Sequence, residues 1–70
     1  MEREYVDSTM ITSYWYDEEN EILFLEYRSN SQCWQYFDVP MYVFEELRSA
    51  DSKGKFINAN IKGNYRESRC

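Results

Sequence analysis

The dipeptide Val39-Pro40 divides this chain into two parts with different hydrophobic periods. Proline fixes φ and has no N–H, so it is excluded from strand and helix interiors but is well suited to the first helical position. Before it lie three short segments of strand composition. Met10 to Tyr16 is rich in Thr, Tyr and Trp and stops at the polar turn Asp17-Glu18-Glu19-Asn20. Glu21 to Arg28 follows, then the turn Ser29-Asn30-Ser31, then Gln32 to Asp38. Strands joined by such short turns form an antiparallel meander. After Pro40, Val43, Phe44, Leu47 and Ala50 recur at helical spacing and make an apolar stripe that can cover a sheet. Asp51 or Ser52 caps a second, shorter helix in which Phe56, Ile57 and Ile61 share a face, and Gly63 is its natural stop. Gly54, near its start, marks a close backbone contact. The expected fold is α+β: a three-stranded antiparallel meander followed by two short helices packed on one face, in the order β-β-β-α-α.

Alternation assigns the faces of the sheet. Leu23, Leu25 and Tyr27 lie on one side of the second strand and are joined by Tyr14, Tyr16, Trp34 and Tyr36; this side packs on helix. The expected core between the layers is Leu25, Tyr27, Tyr36, Phe44, Leu47, Phe56 and Ile61. The other side carries Trp15, Phe24 and Phe37, with Ile22, Glu26 and Gln35 nearby. Three large aromatics there exceed what solubility requires. They are covered by residues 1 to 9, or by another strand, or they form a contact surface.

Size limits what else the chain can hold. With 70 residues it is read as one domain, 1–70. Such a domain buries only about 60% of the surface its unfolded chain exposes. Aromatic residues make up 19% of the chain, with seven Tyr, four Phe and two Trp, and they supply more buried area per ordered residue. No apolar run approaches the roughly 20 residues of a membrane span. The start, Met1-Glu2-Arg3-Glu4, does not read as a signal peptide, so a cytoplasmic protein with no membrane association is expected. Cys33, inside a strand, and Cys70, the last residue, are expected as one buried and one dangling thiol without a disulfide or a metal.

Enzyme chemistry finds little to use. There is no His, no Ser or Cys in a nucleophile motif, and the pairs Glu18-Glu19 and Glu45-Glu46 are adjacent residues read as charged surface. Lys53-Gly54-Lys55 has one Gly where a phosphate-binding loop needs several. A non-catalytic protein without cofactor or metal is expected.

The order of short motifs resembles the KTSC domain, a small bacterial and phage module also found at the C-terminus of some lysyl-tRNA synthetases. The residues carrying the resemblance begin with Ser8-Thr9-Met10-Ile11, Tyr16-Asp17 and Leu23-Phe24-Leu25-Glu26-Tyr27. They continue with Trp34-Gln35-Tyr36, Val39-Pro40, Ala50-Asp51-Ser52-Lys53-Gly54, Ile57-Asn58, Ile61 and Tyr65. Trp34 stands where the family pattern has a first Tyr, and the turn Arg28 to Gln32 lacks the usual Gly. The resemblance implies the fold more than a function; RNA binding is the role suggested for the family.

Three functions remain as expectations. The first is a protein-interaction or self-association module acting through Trp15, Phe24 and Phe37, an aromatic centre with a charged rim. The second is RNA or single-stranded nucleic-acid binding through stacked aromatics. Against it stands the net charge, 8 − 13 = −5. The late basic residues Lys53, Lys55, Lys62, Arg66 and Arg69 are placed on the helical side, away from the aromatics. The third is a pocket for a small planar, nucleotide-like ligand. Trp34, Tyr36, Ser52, Lys53, Asn58 and Tyr65 are the candidate contacts for the second and third readings.

Overall fold

The computed structural model describes residues 3–70; Met1 and Glu2, part of the proposed N-terminal cover, lie outside the described residues. Five strands form one antiparallel sheet in sequential order: β1 (Glu4–Tyr5), β2 (Ile11–Asp17), β3 (Ile22–Tyr27), β4 (Cys33–Tyr36) and β5 (Glu67–Arg69). The expected meander is therefore the centre of the sheet, with β1 added at one edge and β5 at the other. Three strands become five because both edges are built from very short segments whose register comes from the neighbouring strand. The helical layer is α1 (Met41–Ser49) and α2 (Lys53–Phe56), which runs into a π-helical turn (Ile57–Ile61).

Local chemistry explains the turns and caps. Asp17 Oδ1 accepts the backbone N–H groups of Glu19 and Asn20 at 3.0 and 3.1 Å, which closes the β2–β3 turn. In the next turn Asn30 Oδ1 accepts the Gln32 N–H at 3.0 Å, and Ser31 takes φ 57°, the left-handed conformation that glycine adopts freely. Pro40 sits one residue earlier than expected, just before α1, in extended conformation with its carbonyl accepting the Val43 N–H at 3.0 Å. Ser52 caps α2 as expected, its Oγ accepting from Lys55 N–H at 3.2 Å. The π turn closes with Lys62 N–H on the Ile57 carbonyl at 2.9 Å, and Gly63 follows at φ 81°. A side chain at Gly54 would rest in ordinary contact on the Met10 side chain, 3.5 Å from its Cβ, so the neighbour is a side chain just before β2 and not the close backbone contact expected.

The core lies between the sheet and the helical layer. Tyr14, Tyr16, Leu23, Leu25 and Tyr36 from the sheet meet Val43, Phe44, Leu47, Ile57 and Ile61, all buried. Phe44 stacks on Tyr16 with ring centroids 4.9 Å apart and meets Tyr14 edge-on at 5.9 Å. Two expected core residues, Tyr27 and Phe56, are only partly buried at its margin, while Ile11 and Val39 are fully buried. A bulge between Ile11 and Ser13 turns both Ser13 and Tyr14 inward. It also leaves Ser13 Oγ buried with no hydrogen-bond partner.

The cysteine expectation is corrected. Cys33 and Cys70 form a disulfide with Cα atoms 5.3 Å apart. Antiparallel return of β5 along β4 places Cys70 beside Cys33, and Cys70 N–H donates to the Cys33 carbonyl at 3.0 Å. Nothing local to either cysteine encodes that approach.

Candidate functional site

The helices cover only part of the inner sheet face. Beyond the π turn, the remaining face forms an open groove of about 490 Å³. Its aromatic wall is Tyr27 from β3 with Trp34 and Tyr36 from β4; its polar rim is Ser29, Asn30 and Gln32 from the β3–β4 turn. Lys62 and Gly63 close the helical end, and Glu67 of β5 closes the outer side. Strand alternation aims Tyr27, Trp34 and Tyr36 to one face. The cross-strand pairs Tyr36↔Glu67 and Trp34↔Arg69 put Glu67 and Arg69 on the same face.

The Tyr27 and Tyr36 hydroxyls share a hydrogen bond of 2.6 Å within the groove. Burial, then the neighbouring Tyr27 hydroxyl, pushes the Tyr36 phenol well above its ordinary range. Burial also raises Tyr27, partly offset by its bond to Tyr36. Both phenols are neutral near pH 7; Tyr36 is buried at the back of the groove, and Tyr27 is the more exposed of the pair. The Lys62 ammonium lies 5.1 Å from the centre of the Tyr27 ring.

The sequence-expected contacts divide among several places. Trp34 and Tyr36 line the groove. Ser52 and Lys53 lie instead in a smaller hollow of about 210 Å³ between residues 7–9 and 51–54. Both have structural duties there. Ser52 caps α2, and Lys53 Nζ donates to the carbonyls of Arg48 and Ala50 at 2.8 and 2.9 Å, closing the end of α1. Asn58 is exposed on the π turn, and Tyr65 packs half-buried against the core. Sequence reading missed Asn30, Gln32, Lys62 and Glu67 as partners of Trp34. The available signals were the polar turn between Tyr27 and Trp34 and the Lys62-Gly63 helix end.

On the outer face, Trp15 and Phe24 pair across β2 and β3 and stack with centroids 5.2 Å apart and planes within 3°. Among the described residues of the N-terminal segment, only the Arg3 side chain is placed over this pair. Residues 4–5 pair at the sheet edge, and the Arg3 guanidinium lies 4.1 Å from the Trp15 ring centre. Phe37 lies under Arg66 at 4.8 Å. All three aromatics are half-buried. The late basic residues are dispersed, since Arg66 joins this outer face while Lys62 belongs to the groove and Lys53 is engaged with α1.

Among the described residues no helix is long and apolar enough to cross a membrane. A family model described as the KTSC domain matches residues 7–65. A lysine–tRNA ligase of Nostoc is 38% identical over 60 residues, which is 86% of this chain but only 10% of the ligase. The chain thus spans about a tenth of the length of such ligases. A protein of Tsukamurella paurometabola is 34% identical over 61 residues, 87% of this chain and 90% of that one. The crystal structure of a KTSC domain protein from Yersinia pestis superposes with a TM-score of 0.93 at 33% identity, covering 99% of this chain and 96% of that one. This chain belongs to the KTSC domain family.

Proposed function

We propose that this domain is a non-catalytic binding module whose groove takes a small ligand with a planar, nucleobase-like ring. The observation that carries the reading is the convergence of Tyr27, Trp34 and Tyr36 with the Asn30 and Gln32 amides in a concavity of about 490 Å³. That volume lies in the usual range for small-molecule sites. Aromatic faces supply stacking, and amides carry the paired donor and acceptor that a heteroaromatic edge requires. The lysine–tRNA ligases containing a related segment act by name on a nucleic acid, which is compatible with a ring of this type.

Trp34 is its own reporter once Trp15 is replaced by Phe. Titration of Trp15→Phe protein with nucleoside monophosphates is expected to quench Trp34 emission saturably. Gln32→Ala and Lys62→Ala, both rim changes, are expected to weaken the effect. Unchanged emission with all four bases at millimolar ligand sinks the reading.

A second reading rests on the stacked Trp15–Phe24 pair, half-exposed at the centre of a sheet face that neither helix covers. Such a face suits a protein partner or a second copy of the domain. Loss of oligomeric mass in a folded Trp15→Ser, Phe24→Ser variant supports it. Extended single-stranded nucleic acid is the weakest of the three, because the net charge of −5 opposes a polyanion and Arg3 and Arg66 already occupy the outer rings.

A further inference from the structure

β5 is the wall of the groove with the least support. It has three residues, all exposed, and lies at the sheet edge. It contributes no buried residue to the core. Its non-covalent attachment to β4 is a short ladder, flanked by Phe37 N–H to the Arg66 carbonyl and Cys70 N–H to the Cys33 carbonyl. Short edge segments with solvent-exposed hydrogen bonds open at low free-energy cost. The Cys33–Cys70 disulfide is the covalent tie across this pair of strands. It joins residues 37 apart in sequence, and cutting it leaves β5 held to β4 only by that ladder.

We propose that the Cys33–Cys70 disulfide is a redox latch that holds β5 against β4 and so completes the groove; this regulation rests on the groove being the binding site. The chemistry balances with a dithiol as co-reactant. One dithiol sulfur, as thiolate, attacks a protein sulfur, the protein S–S bond breaks, and a mixed disulfide forms. The second dithiol sulfur then displaces the other cysteine. The dithiol is oxidised to a disulfide, and both cysteines leave as thiols carrying the two protons. Cys70 is exposed and Cys33 half-buried, so Cys70 offers the accessible sulfur. With the latch open, Glu67 and Arg69 lose their fixed position beside Tyr36 and Trp34. The groove becomes an open sheet edge. Restoring the bond needs a disulfide oxidant and returns the wall.

The test uses the full chain in the Trp15→Phe background, oxidised and then reduced with dithiothreitol. Free-thiol titration follows the redox state. Amide exchange follows β5, and a neutral quencher reports access to Trp34. Reduction is expected to accelerate exchange at residues 67–70 by roughly tenfold or more beyond any change in β2, β3 and α1. Trp34 should become more accessible, and Cys70→Ser protein should show the reduced pattern under both conditions. Unchanged β5 protection and Trp34 access on reduction overturn the latch. A loss of protection in β2, β3 and α1 as large as that at residues 67–70 also overturns it, because opening is then global unfolding and not release of β5. Ligand titration separates the two proposals. A β5 that opens on reduction in a protein binding no nucleoside monophosphate keeps the latch and removes the ligand reading. Binding that survives β5 opening at full strength removes the regulation and keeps the site.

Discussion

Phe44→Ala tests the packing that sets the helix layer on the sheet. The ring is 1% exposed and lies between Tyr14 and Tyr16, with Arg48 over it from the next turn of α1. Truncating a buried Phe removes the transfer energy of the ring and leaves a cavity, about 3–5 kcal/mol together. The two aromatic contacts place this site toward the upper part of that range. Globular domains carry roughly 0.05–0.15 kcal/mol per residue, about 3.5–10 kcal/mol for a chain of this length. One substitution therefore removes a large share of the total. By the chain-entropy argument the disulfide accounts for about 4 kcal/mol of that total for a loop of this size. Phe44→Ala protein should accordingly remain folded when oxidised and melt far more easily once reduced. Urea titrations read by circular dichroism, with and without dithiothreitol, measure both effects. Phe44→Leu, which keeps most of the volume, should lose much less. A Phe44→Ala midpoint shift equivalent to under about 1 kcal/mol would show that the ring is not held between the layers as described.

Three further outcomes are expected. Trp15→Ser with Phe24→Ser should cost no more than about 2 kcal/mol, because both rings are half-exposed on the outer face; outright unfolding in a thermal melt would make them core. Stability should fall as pH rises above 10, since burial, then the hydrogen bond to Glu4, pushes the Tyr14 phenol from 10.0 up to about 12. The folded state holds that proton more tightly than the unfolded chain, so its contribution is complete below pH 10 and is lost as pH climbs through about 12. Tyr27 and Tyr36, raised in the same direction, add to the loss, and urea midpoints that stay level from pH 9 to 12 would contradict it. Finally, generic RNA or single-stranded DNA should not bind at physiological salt. Submicromolar, salt-sensitive binding abolished by Lys53→Glu, Lys55→Glu and Lys62→Glu would reverse the weighting of charge over stacking.

Residue order by itself determined the middle of this fold. Alternation in Leu23, Phe24, Leu25 and Tyr27 assigns the inner and outer faces of β3, and helical spacing of Val43, Phe44 and Leu47 assigns the buried side of α1. The cap at Ser52 and the stop at Gly63 follow from the local chemistry of those residues. These features are legible because side-chain direction repeats with a period set by the backbone alone. The edges are different. β1 has two residues and β5 three, too few to show a period, and both exist because a neighbouring strand offers unpaired N–H and C=O groups. The disulfide follows only from that second edge, which brings Cys70 back to Cys33 from 37 residues away. The bulge before Ser13 and the wide turn at Ile57–Ile61 likewise depend on fitting one layer to another. The groove has the same origin. Each of Tyr27, Trp34 and Tyr36 is an ordinary inward-facing aromatic in sequence, and they become a site because the helical layer ends at Gly63, which leaves Tyr27 and Trp34 partly uncovered beside the buried Tyr36. Where one element stops short of another is a property of tertiary packing, which no local period encodes.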